Sequence, residues 1–266
     1  MIVIYLAVLT SFASPSIAAD ACSPPVFVDP KDQGRTIADS TLSSQDCDHF
    51  HEVEGMAARL EAKAGVTLNP MALKMKERVS ATYNGEDRRL AVTLGALRQP
   101  REPDALSGIL AHEISHVLQW DAHKRSNFLK DANWKQMEVH ADALALILLE
   151  RDGVGQAALR ASQESAWTCA EIQTHSGDDD TPAYWVRWSN AVLLRERVLA
   201  FAGDERDPLK MIPLDAFDKD GRVRGAFLTD DAKLAKALDS DALRRRLIKQ
   251  GCGVPAWTFK LKDALR

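Results

Sequence analysis

Apolar residues recur at helical spacing along most of this chain, and one stretch is apolar nearly all the way round. Between Asp104 and Trp120, Leu106, Leu110, Ile114, Val117 and Leu118 make a broad apolar stripe. Ala105, Ile109, His112, His116 and Gln119 make a second stripe on the same helix. A helix apolar on most faces belongs at the centre of its domain, and Asp104 is a suitable N-cap for it. A polar stretch from Asp121 to Lys135 reads as a loop with a helical turn. A second long helix is expected from about Trp134 to Arg151, stopped by Asp152-Gly153. Upstream, Phe50, Val53, Met56, Ala57 and Leu60 share one face of a helix over Asp48–Ala64, ended by Gly65.

Strand signals are confined to the region between those helices. Ala81-Thr82-Tyr83 and Arg89–Leu94 read as strands around an Asn84-Gly85 turn signal. Val66–Leu68 reads as a short strand and Asn69-Pro70 as a turn, while Met71–Ser80 fits helix or strand equally. Further helices are expected over Gln156–Ile172, Ala183–Ala202 and most of Asp230–Gln250. An acidic loop, Gly177–Pro182, and a turn-rich stretch, Asp204–Gly225, interrupt them. The predicted fold class is α+β, mostly helical, with a central helix pair beside a small sheet or hairpin.

The ends change the picture more than the composition does. Ile2–Ala13 is apolar and uncharged, Pro15 breaks the run, and Ser16, Ala18 and Ala19 are small. This matches a secretory signal peptide over 1–19, although no Lys or Arg precedes the apolar run. An uncleaved anchor is the alternative; the run is short of the roughly 20 apolar residues a span needs. Residues 20–47 read as an irregular arm, 48–203 as the main domain and 204–266 as a helical extension. The protein is expected to be exported, periplasmic or secreted, with no stable membrane span after cleavage. Its four cysteines then suit two disulfides, Cys22–Cys47 and Cys169–Cys252 being the pairing expected; four buried thiols are the alternative. A net charge of -4 with no dense basic stripe argues against nucleic acid as a partner.

The chemistry sits on the central helix. His112-Glu113-Ile114-Ser115-His116 places two imidazoles one turn apart on one face, where they can grip one metal ion. Glu113 lies beside the open position and can take a proton from water there. A catalytic zinc site needs a third protein ligand. Glu138 on the second helix can supply it. Asp142, one turn further on the same face, can accept the outward N–H of His112. Ala141 between them is small and lets the helices approach.

Ala111-His112-Glu113-x-x-His116 followed by Glu138-x-x-Ala141-Asp142 resembles the gluzincin metallopeptidases, in particular the group containing HtpX, BepA and the CAAX prenyl endopeptidase. The resemblance covers roughly residues 66–190. It implies a zincin-like helix pair, one Zn²⁺ held by His112, His116 and Glu138, and Glu113 as general base. It also implies that an edge strand, matched here to Arg89–Leu94, pairs with the substrate backbone. Two features depart from the family. Only 21 residues separate His116 from Glu138, where many relatives carry a longer insert. The family's His-Pro…Arg segment is also broken: Thr174-His175-Ser176 is followed by three aspartates, Thr181-Pro182 and Arg187. His175 is the expected oxyanion helper, with Tyr184 and Arg187 in reserve. His49, His51, His123 and His140 read as surface or packing residues.

The function expected is zinc-dependent hydrolysis of peptide bonds in exported proteins or peptides. A non-catalytic zinc-binding chaperone-like or inhibitory protein on the same scaffold is the alternative.

Overall fold

The structure, a computed structural model, describes residues 42–76, 80–98, 104–159, 187, 190, 194 and 207–224. The expected signal peptide, the arm before residue 42, the acidic loop and the helix over 230–250 lie outside the described residues. So do His175, Tyr184 and three of the four cysteines, and with them both expected disulfide pairings. Cys47 is buried on the first helix.

Helix α1, Ser44–Ala64, starts earlier than its apolar stripe suggests, because Ser43 and Asp46 form a reciprocal capping box. Gly65 ends it in the left-handed conformation, at φ 68°. Three strands follow: β1 (Asn69–Lys74), β2 (Ala81–Asn84) and β3 (Arg89–Thr93). A five-residue helix, α2 (Leu94–Arg98), then leads toward the long helices α3 (Ala105–Ser126) and α4 (Trp134–Arg151). Among the described residues the fold is mostly helical with one small sheet, as the hydrophobic pattern predicts.

The sheet corrects three local expectations. Its order is β1-β3-β2, with β1 parallel and β2 antiparallel to β3. Residues 66–68 are not a strand. Asn69-Pro70 opens β1 instead of turning, which an edge strand tolerates because the missing proline N–H faces no partner. Arg89–Thr93 is the central strand, so the edge nearest the central helix is β2.

α3 runs six residues past Trp120, to Ser126, and Asn127 caps it in the left-handed conformation. Its polar end is a helix with outward-facing charges: Asp121 pairs with Arg88, while Ala122 is buried. Asp104 occupies the cap position but makes no capping hydrogen bond with its side chain. α4 is capped by an Asn133–Gln136 box and is buried without a break from Gln136 to Leu149. It is the centre of the core, with α3 and α1 packed against it. The segment 207–224 returns to α4, where Gln136 Nε2 donates to Phe217 O at 3.0 Å. Among the described residues, no helix is long and apolar enough to cross a membrane.

Candidate metal centre

Helical periodicity brings His112 and His116 onto one face of α3, and packing of α3 on α4 brings Glu138 to both. His112 Nε2 lies 3.3 Å from Glu138 Oε2, and His116 Nε2 lies 3.3 Å from Glu138 Oε1. The two Nε2 atoms are 3.2 Å apart. Donors bound at zinc-like lengths on a tetrahedral ion stand about 3.3–3.4 Å from one another. Each oxygen of the Glu138 carboxylate thus stands at about that distance from one imidazole nitrogen, and this group can hold a metal ion. All three side chains are at most 12% exposed. Ala111, next to His112, and Ala141, next to Asp142, are completely buried, as close helix packing requires.

The outward nitrogens are both engaged. His112 Nδ1–H donates to Asp142 Oδ1 at 2.8 Å, and His116 Nδ1–H donates to Gln119 Oε1 at 2.8 Å. Each ring, when neutral, therefore presents a bare Nε2 inward. Two such lone pairs and a carboxylate, packed this closely out of water, repel one another unless positive charge lies among them. The surrounding groups favour positive charge here, whether it is carried by a proton or by a metal ion. Burial disfavours charge on His112, but Asp142 and Glu138 outweigh it and push the imidazole up to about 10. Burial likewise opposes the Glu138 charge, and the two imidazoles and Arg187 still hold this carboxyl well below the usual range. The donor set, its spacing and its field all suit a cation.

Arg187 is brought in from 75 residues beyond His112. Its Nε and Nη2 donate to the two oxygens of Asp142 at 2.7 Å each, and Nη1 lies 3.4 Å from Glu138 Oε2. Considered above as a reserve oxyanion donor, Arg187 instead spends its fork on Asp142, fixing the carboxylate that orients His112. Burial works against the Asp142 charge, and Arg187 and His112 reverse that, so its pKa is lowered.

Glu113 is held from the sheet. Tyr83 N–H, on the outer edge of β2, donates to Glu113 Oε2 at 2.9 Å. Burial raises the Glu113 carboxyl, with His112 and His116 pulling the other way.

The remaining described histidines keep out of the metal group, and one does more than fill space. His51 pairs with Glu54 on the surface. His49 Nδ1 meets Leu97 O at 2.8 Å, and His123 Nδ1 accepts from Leu129 N. His140 is fully buried and bonded at both nitrogens, to Gln119 and to Ile212 O. Reading the sequence missed Gln119 as a partner of His116, although it lies three residues on, in the same stripe. It also missed Tyr83, for which no local signal exists.

No family profile, curated protein or solved structure matches this chain.

Proposed function

We propose that this chain is a zinc metallopeptidase of the gluzincin type, hydrolysing peptide bonds of exported proteins or peptides. The observation that carries the reading is the convergence of His112, His116 and Glu138, with nitrogen and oxygen atoms 3.2–3.3 Å apart, and Glu113 next to His112 on the same helix. Three protein ligands of the two-histidine, one-glutamate kind match catalytic zinc sites, which keep one position open. Zinc held there would supply Lewis acidity toward a scissile carbonyl and acidify water. Glu113 takes the proton of the attacking water and passes it to the leaving amine. Its anchoring by Tyr83 N–H keeps one oxygen fixed and the other free for that proton. Burial, by raising its pKa, makes Glu113 a stronger base. The outer edge of β2 aligns the substrate backbone by strand addition, a role supported by its edge position beside α3. His175 is the oxyanion helper in this reading.

The test is metal content together with peptide cleavage, measured with and without a chelator, on wild type and Glu113→Gln. The expectation is one tightly held zinc in both proteins. Chelator-sensitive cleavage by wild type should fall by about 10²–10⁴-fold in the variant. Purified protein without stoichiometric metal, or cleavage undiminished in Glu113→Gln, would overturn the proposal. Stoichiometric zinc with no cleavage by wild type would point to the non-catalytic alternative.

A further inference from the structure

His112 is oriented by a carboxylate, but His116 is oriented by a neutral amide at the head of a buried chain. Gln119 Oε1 lies 2.8 Å from His116 Nδ1. Gln119 Nε2 lies 2.8 Å from Met137 O and 2.9 Å from His140 Nδ1. His140 Nε2 lies 2.8 Å from Ile212 O. Gln119 and His140 are both 0% exposed, so water does not substitute for any of these partners.

Two backbone carbonyls settle where every proton lies, because carbonyls only accept. Met137 O needs an N–H, so the Gln119 nitrogen faces it and the Gln119 oxygen faces His116. Ile212 O needs the His140 Nε2–H. Neutral His140 is then bare at Nδ1 and accepts the second N–H of the Gln119 amide. The Gln119 oxygen in turn takes His116 Nδ1–H. His116 is left with its lone pair on Nε2, aimed at His112 and Glu138. Flipping the amide would set its oxygen against Met137 O and His140 Nδ1, two acceptors facing a third. Trp134 stacks on the His116 ring at 6.1 Å and 11° and restrains its plane.

We propose that Gln119, locked by His140 and by the carbonyls of Met137 and Ile212, is the positioning residue that fixes His116 as an Nε2 metal ligand. The 207–224 segment is thereby part of the metal site's support, though its Ile212 lies 72 residues from His140 in sequence. This inference rests on the metal-binding reading above and adds how the second histidine is held.

The test is Zn²⁺ affinity by competition with a chromophoric chelator, on full-length protein. The variants are Gln119→Met, which is near-isosteric, His140→Leu and Gln136→Leu. Gln136 is the control. It ties the same segment to α4 through Phe217 O and caps α4, yet touches no metal ligand. Gln119→Met should weaken Zn²⁺ binding about 10–100-fold. His140→Leu should weaken it less, because the amide keeps its bond to Met137 O. Gln136→Leu should weaken Zn²⁺ binding much less than Gln119→Met, even where its melting temperature drops, since Gln136 hydrogen-bonds neither to His116 nor to Gln119. Wild-type affinity in Gln119→Met overturns the inference, as does an equal loss in Gln136→Leu. Should Gln119→Met fail to fold, His140→Leu decides, and wild-type affinity there overturns it. Absence of Zn²⁺ binding by the wild type would instead remove the metal site itself.

Discussion

Asp142 Oδ1 lies 2.8 Å from His112 Nδ1, and the same carboxylate is gripped by Arg187 at both oxygens. The histidine and the arginine thus share one anion, and Arg187 also reaches Glu138, with Nη1 3.4 Å from Oε2.

Asp142→Asn keeps an oxygen for His112 but removes the charge that Arg187 needs. Metal affinity should fall about 10–100-fold, as for other partners of ligating histidines. Stability should fall by about 3–5 kcal/mol, the usual consequence of stripping one partner from a buried pair. Chelator competition and urea unfolding measure the two effects separately. A variant unchanged in both would show that the Asp142–Arg187 pair supports neither.

Asp46 joins the start of α1 to the end of α2. Its oxygens accept from Arg98 Nε and Nη2 at 2.9 and 2.8 Å, and Oδ2 also accepts Ser43 N–H. The Arg98 hydrogen bonds hold the Asp46 pKa far below its ordinary value, burial opposing them. With the folded pKa depressed, this stabilisation is fully present above the unfolded value of about 3.9 and is lost as pH falls below it. Asp46→Asn should therefore be less stable than wild type by about 1.5–3 kcal/mol near neutrality. The gap should begin to narrow as pH falls below about 4 and shrink progressively from there. Unfolding in chelator across pH 3–7 follows this without interference from metal loss; a pH-independent gap would count against it.

The Tyr83 hydroxyl is buried and makes no hydrogen bond among the described residues. Removing a group that has no partner relieves a desolvation cost. Tyr83→Phe should therefore fold with unchanged stability or gain up to about 1 kcal/mol. It should also keep activity, since the contact to Glu113 is made by the backbone N–H. Loss of more than about 1 kcal/mol in urea would reveal a partner for the hydroxyl.

Ala141 is completely buried on α4, between Glu138 of the candidate metal group and Asp142. Ala141→Leu adds bulk where the core has no space, at a cost of about 1–3 kcal/mol. Pushing α4 outward should also lengthen the Glu138 approach to both histidines and weaken metal binding. Paired melting and metal titration check this. An enlarged side chain tolerated in both would mean that α3 and α4 do not pack through this residue.

What the sequence by itself determined is local. Histidines at i and i+4, a glutamate between them, and Glu138 and Asp142 at i and i+4 each share a face because the helix repeats every 3.6 residues. The apolar runs that form α3 and α4 follow from the same period. Even there the boundaries were blurred: the Ser43–Asp46 capping box lay inside a stretch read as an irregular arm, and polar Asp121–Ser126 looked like a loop. Only the tertiary structure decided which strand is the edge, that Tyr83 anchors Glu113, and that Arg187 serves Asp142. It also decided that Gln119 and His140 carry the orientation of His116 to Ile212. These contacts join residues 18 to 75 positions apart, apart from the i, i+3 step from His116 to Gln119. No local periodicity encodes them. They form because burial of α4 leaves polar groups that must find partners inside the protein, and the packing of distant segments determines which partners are in reach.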